Sequence, residues 1–317
     1  MHLEGSGERL GLLRALGLMV ATGILSMVNP GILMAIPLAL MIIFLPTRVR
    51  GSVVVAFFVA FLAFGGSPDS GLWYFERGWS LLIGGWFLAL TLRWPGGAFI
   101  SRGLGAVGGA FAATALLFWR RPGQWAVVDW AVRSRMEDGV AMALQALRGV
   151  AGPQAVPTSA EARLFEAVAL HGTVFPAMLG LASLAALGAA WWAYNRLNRG
   201  LDVGIGPLRD FRFSDQLVWV LILGFLVLLV SSGAVGRMGT NAVVFMGVLY
   251  ALRGVAVVLA LLGGPTLLLS TALVVAFLVA APFFVAGAFV FGLGDTWLNL
   301  RDRVGVDFPR QGPGSTS

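Results

Sequence analysis

The run Leu267 to Phe291, LLLSTALVVAFLVAAPFFVAGAFVF, carries no charged side chain. At ~1.5 Å per residue it is long enough to cross the ~30 Å hydrocarbon core of a bilayer as one helix. Backbone immersed in lipid must satisfy its own hydrogen bonds, so such a block is a helix or a strand of a closed barrel. Barrel strands alternate apolar and polar residues over about ten positions, whereas this block is continuous. Similar blocks recur along the chain. Hydrophobic residues make up 58% of the 317 and charged residues 12%, against about 25% charged in soluble domains. One core in water could not hide that much apolar surface. The fold class is an all-α, polytopic transmembrane helical bundle.

Candidate spans are 11–28, 32–46, 51–65, 79–93, 97–118, 172–194, 215–232, 240–262 and 267–293. That is about nine, with eight as the alternative, because the second and third are short for the bilayer. Residues 15–28 follow Arg9 and Arg14 like a signal sequence, but no small-x-small cleavage site follows, so they read as an uncleaved first helix. Four regions result: 1–118 N-terminal membrane helices, 119–171 an amphipathic and polar connecting region, 172–300 C-terminal membrane helices, and 301–317 a disordered tail. Within the connecting region Trp125, Val128, Val132, Met136, Val140, Leu144 and Leu147 recur at three- and four-residue steps. That is one stripe of an amphipathic helix, lying in the membrane interface or packed on its own protein.

The formal charge is +7, and all 22 basic residues are Arg. Arginines spread over many loops read as a topology signal and as attraction to the lipid bilayer's anionic headgroups, not as a nucleic-acid surface. With nine spans and a cytoplasmic N-terminus, the loops 46–50 and 195–214 obey the positive-inside rule, while 119–171 and the tail do not. An even count with both ends cytoplasmic competes with it. The chain has no Cys, which excludes disulfides and thiolate chemistry. Its two His residues, His2 and His171, are too few for a histidine metal site. No cofactor, metal or enzymatic activity is expected, since no nucleophile–base pair or phosphate loop is visible.

Gly103-x-Gly105-x-x-Gly108 matches a dinucleotide fingerprint as a string, but it lies in an apolar run where Gly105-x-x-x-Gly109 reads as a helix-packing face. Trp73, Tyr74, Glu76, Arg77 and Trp79 read as an interfacial aromatic belt with one ion pair. Arg253 is the most suggestive residue. A guanidinium deep in a span costs at least ~2.5 kcal/mol unless it is paired or faces water. Asn241, Tyr250 and Arg253 share one broad helical face, and Asp295 is a carboxylate within reach of Arg253 or Arg301. These four are the candidate ligand-binding residues.

The order Pro207-Leu208-Arg209-Asp210-Phe211-Arg212-Phe213, Asn241, Arg253-Gly254 and Gly294-Asp295-x-x-x-Asn299-x-Arg301 resembles the YybS-like family of bacterial membrane proteins. Asn29-Pro30 through Pro37, followed by Arg48/Arg50-Gly51, is similar in layout. Arg253 departs from the pattern, standing where a Gln is expected. The family is grouped with the S-components of energy-coupling-factor vitamin transporters and with the rod-shape protein MreD. The resemblance implies a bundle with a central cavity in the bacterial inner membrane. It would bind or help transport a small molecule or lipid beside membrane partner proteins or an energising ATPase module. The rival expectation is a membrane scaffold that recruits envelope proteins.

Overall fold

The structure, a computed structural model, describes residues 4–46, 52–65, 71–121, 123–152, 157–198, 206–262 and 267–300. The Arg48/Arg50-Gly51 turn, Gly263-Gly264-Pro265 and the tail 301–317 lie outside these residues, as does the Arg301 considered as a partner for Asp295. Among the described residues ten α-helices follow one another: α1 (Glu4–Leu25), α2 (Pro30–Phe44), α3 (Ser52–Phe64), α4 (Gly71–Arg93), α5 (Phe99–Trp119), α6 (Gln124–Ala151), α7 (Thr158–Leu197), α8 (Val218–Val230), α9 (Gly233–Leu261) and α10 (Leu267–Leu298). Two short 3-10 turns, Leu208–Asp210 and Asp215–Leu217, precede α8. The described residues contain no strand.

Phe99–Trp119, Thr158–Leu197, Gly233–Leu261 and Val279–Leu298 are each long and apolar enough to cross a membrane, and shorter apolar helices accompany them. The protein is a helical membrane bundle. Many of its large apolar side chains face outward, among them Leu116, Phe57, Leu229 and Phe283. In water this would drive aggregation; in lipid it is the expected solvent-facing surface.

Local chemistry explains the helix ends. Asn29 caps α2 by accepting a 2.9 Å hydrogen bond from the Gly31 amide, and Pro30 occupies the first helical position, where no donor is needed. Gly233 takes φ 63 at the α8–α9 turn, a left-handed value that favours glycine. In α10 the backbone leaves helical geometry at Ala280, two residues before Pro282. The proline ring and its missing amide disrupt the preceding turn.

The long helix α7 is the axis of the bundle, and α1, α2, α5, α6 and α9 pack on it. Its segment from Phe175 to Trp191 is almost wholly buried, with alanines and glycines that let neighbours approach closely. α7 runs unbroken through position 171, so the polar segment 158–171 and the apolar segment after it form one rod of about 60 Å. Its polar first turns pair with α6, where Arg148 forms an ion pair with Glu161. The predicted stripe on α6 faces the protein. Val128, Val132 and Leu144 are buried, Met136 packs against the core, and Leu147 stays half exposed.

The helix-packing reading of the glycine run also describes the structure. A Cβ on Gly105 would meet Leu90, and one on Gly109 would press into the Trp86 ring, both on α4. The belt reading holds in part: Tyr74 is exposed, and Arg77 and Glu76 form the expected ion pair at 3.9 Å. Trp73, Tyr74, Glu76, Arg77 and Trp79 all lie within α4, and Glu76 and Arg77 are buried at 4% and 6% exposure. Glu76 and Arg77 are interior hydrogen-bonding groups.

Candidate functional site

α8 and α10 both lie along α9. Gly224 of α8 packs on Ala242 and Val243, and Gly239 of α9 meets the Leu228 amide, so α8 covers the first half of α9. α10 crosses the second half backbone to backbone. A Cβ on Gly254 would collide with the Ala288 carbonyl oxygen, and one on Gly292 with the Tyr250 carbonyl oxygen. Only glycine permits this approach. The start of α8 and the end of α10 therefore meet beside the same stretch of α9, around Tyr250 and Arg253.

Arg253 is 0% exposed, as are Tyr250 and Asp295. Its Nε donates to Asp295 Oδ2 at 3.0 Å, and its Nη1 donates to Asp215 Oδ1 at 2.7 Å. Its Nη2 has no hydrogen-bond partner among the described residues. The guanidinium thus sits between two carboxylates of different standing. Asp295 is sealed in the protein, whereas the Asp215 side chain is 54% exposed. The end of α10 also favours a nearby cation, because the last carbonyls of a helix carry partial negative charge.

Residues 206–217 form a strap across this cluster. Phe213 lies over the guanidinium, with Arg253 Cζ 5.4 Å from its ring centroid. It also meets Tyr250 edge-on at 5.2 Å. Arg212 reaches Asn299 at 3.2 Å, tying the strap to the end of α10. Asn299 itself adopts φ 44, the left-handed conformation that asparagine tolerates at a helix end. The strap thus holds both Asp215, the second partner of Arg253, and Phe213, its aromatic cover.

Of the four sequence-derived candidates, Arg253, Tyr250 and Asp295 come together. Asn241 does not join them, since twelve residues of helix place it about 18 Å away along α9. Its work there is different. Pro176 in α7 has no amide to give the Gly172 carbonyl, and its ring disturbs the turn before it. Two α9 side chains fill the gap. Arg237 donates to Gly172 O at 2.7 Å and to Thr173 O at 3.0 Å. Asn241 donates to Thr173 O at 2.9 Å and accepts from the Ala177 amide at 2.9 Å. Asp129 of α6 pairs with Arg237 through both carboxylate oxygens and neutralises it.

A third cluster surrounds Glu76. Its Oε1 accepts from the Asn29 amide at 3.1 Å and from Arg135 of α6, so one carboxylate joins α2, α4 and α6. Arg77 donates to the Gly65 and Trp73 carbonyls at 2.8 and 3.2 Å and lies 4.0 Å from the Trp73 ring centroid.

A further buried ion, Arg102 of α5, has no carboxylate beside it among the described residues. It is 3% exposed, and none of its three guanidinium nitrogens finds a hydrogen-bond partner among the described residues. It faces the rings of Trp191 at 4.9 Å and Phe87 at 5.7 Å.

Asp215, Arg237 and Arg102 are the polar groups that sequence reasoning missed. Arg102 was visible by the argument that found Arg253, since it interrupts the apolar run 97–118. Pro176 was the signal for Arg237 and Asn241, because a proline inside a span calls for outside donors.

No curated protein and no solved structure matches the chain. A family model covers most of the polypeptide: the chain belongs to the family of predicted membrane proteins DUF2232, whose model matches residues 13–296, in keeping with the YybS-like order of its motifs.

Proposed function

We propose that this protein is a non-enzymatic, S-component-like protein of the bacterial inner membrane that binds a small anionic molecule or lipid at Arg253. One observation carries the reading. A fully buried guanidinium with an unfilled donor takes its second carboxylate from a short strap, not from a packed helix. An entering carboxylate or phosphate would replace Asp215 at Nη1 and engage Nη2, while Asp295 keeps the cation in place. The site lies where one helix begins and another ends, an arrangement that membrane transporters use to present backbone dipoles to substrates. Transport would require an energised partner, such as an ATPase module.

The test is a thermal-shift screen of the detergent-purified protein against vitamins, nucleobases, organic carboxylates and phosphate esters. A ligand at a hundred times its Kd stabilises by about 2.7 kcal/mol, which is readily seen as a raised Tm. The Arg253→Gln protein should lose the response. A panel that leaves Tm unmoved, or a shift that survives Arg253→Gln, would reject the proposal.

The scaffold reading rests on α6 and the start of α7, which expose Trp130, Met142 and Leu170 outside the α7 core segment. It requires a stoichiometric partner on purification in mild detergent. That partner should be lost when Trp130 and Met142 become Ala and retained when Arg253 does.

A further inference from the structure

Arg102 calls for an explanation that its surroundings do not supply. An unpaired charge is costly to bury, and cation–π contact offsets only about 0.5–2 kcal/mol of that cost. The residue lines a cavity of ≈ 730 Å³ at the α4–α5 turn, together with Arg93, Ser101 and the turn residues Trp94 to Gly97. Arg93 is exposed there, 5.3 Å from the Trp94 ring centroid. The aliphatic stem of Arg102 borders the turn, since a Cβ on Gly97 would lie 3.8 Å from its Cγ. To reach the cavity the guanidinium has to turn about its outer torsions, away from the aromatic rings. No side chain caps α5, so its first-turn amides add positive potential at the same place. Neither Asp nor Glu is among the lining residues.

A second, open groove of ≈ 550 Å³ lies along α4 at Leu81, Leu82, Gly85 and Trp86 and has no charged lining residue. Apolar surface along α4 thus leads toward two arginines at a helix–helix turn. A ligand with a phosphate at one end and hydrocarbon at the other matches both parts.

We infer that the outer face of α4 and the α4–α5 turn form a binding site for an anionic phospholipid. Arg102 and Arg93 bind its phosphodiester, and its acyl chain runs along the groove beside Gly85. The inference stands apart from the Arg253 site and shares no residue with it.

The purified, delipidated protein is titrated with phosphatidylglycerol, phosphatidylcholine or inorganic phosphate, and Tm is followed. Phosphatidylglycerol should raise Tm at mole fractions where phosphatidylcholine has little effect and where phosphate at equal concentration has none. Arg102→Gln should raise the half-saturating mole fraction about tenfold, the loss expected for a charged hydrogen-bonding partner. Arg93→Gln should raise it by less. Without lipid, R102Q should be at least as stable as the parent, because it removes an unpaired buried charge. Equal responses to the two lipids, or an equal response to free phosphate, would overturn the inference. So would an R102Q protein that answers phosphatidylglycerol as the parent does. If R102Q does not fold, R93Q decides by the same criterion. A phosphatidylglycerol response that Arg253→Gln abolishes and Arg102→Gln spares would belong to the other site and overturn the inference.

Discussion

Asn241→Ala tests how this fold tolerates a proline in its central helix. The side chain makes two contacts with the broken turn of α7, to the Thr173 carbonyl and from the Ala177 amide. They are not equivalent. Thr173 O would keep its bond from Arg237 Nε, whereas Ala177, which is 2% exposed, would lose the partner of its amide. An orphaned buried donor costs about 1–3 kcal/mol. Polar side-chain contacts in membrane proteins average ~0.6 and reach ~1.7 kcal/mol. We expect a loss near 1.5 kcal/mol. The cause can be isolated by adding Pro176→Ala, which restores an amide for Gly172 O and lets Thr173 O turn back to Ala177. In that background Asn241→Ala should cost only about 0.5 kcal/mol, giving a coupling of about 1 kcal/mol. Equilibrium unfolding of the four proteins in mixed micelles with rising dodecyl sulfate, followed by circular dichroism, supplies the cycle. Additivity within about 0.3 kcal/mol would refute the view that Asn241 serves the proline break.

Gly254→Ala and Gly292→Ala should each prevent the α9–α10 crossing, because the new methyl meets a backbone carbonyl that cannot move alone. Loss of a monodisperse peak in size-exclusion chromatography is the readout, and a normal peak for both contradicts the packing. Asp295→Asn leaves Arg253 buried without its sealed partner and should cost about 3–5 kcal/mol. Asp215→Asn, at an exposed carboxylate, should cost under about 1 kcal/mol. Comparable thermal shifts for the two would deny their different burial. Glu76→Ala orphans the Asn29 amide and should lower stability by about 2 kcal/mol, measured by the same micelle titration.

The sequence made the class and the packing stripes legible because both depend on periodicity. The α6 positions Val128, Val132 and Leu144 are buried, so the stripe packs on the protein, one of the two alternatives their spacing left open. Continuity of α7 was not legible, because segmentation by hydropathy stops where polarity begins, while the helix itself meets no breaker between Thr158 and Gly172. The grouping of Asn241 with Arg253 came from angular position on a helix, which ignores the rise separating them. Asp215 and Glu76 were out of reach for another reason. Their partners lie 38 and 47 residues away in sequence, and only the tertiary arrangement of helices brings them together.

The buried polar clusters divide by what they touch. Arg237 and Asn241 bind the carbonyls and amide that Pro176 leaves open; Glu76 binds the amide at the head of α2; Arg77 binds the carbonyls of Gly65 and Trp73. Each supplies a backbone group with a partner that a low-dielectric interior otherwise withholds. These residues therefore have a sufficient structural reason to be present. Arg253 and Arg102 differ. Arg253 meets only side chains, and one of them belongs to a strap. Among the described residues the Arg102 guanidinium meets only aromatic rings. Neither completes a helix, and apolar residues of similar volume would often serve stability as well or better. A buried charge that repairs no backbone needs another reason for its cost, and binding an anion is one that its chemistry provides. The contrast can be checked directly. Replacing Arg237 with Met should lower stability with or without ligands present. Replacing Arg102 with Met should leave the lipid-free protein as stable as before and weaken only its response to anionic lipid.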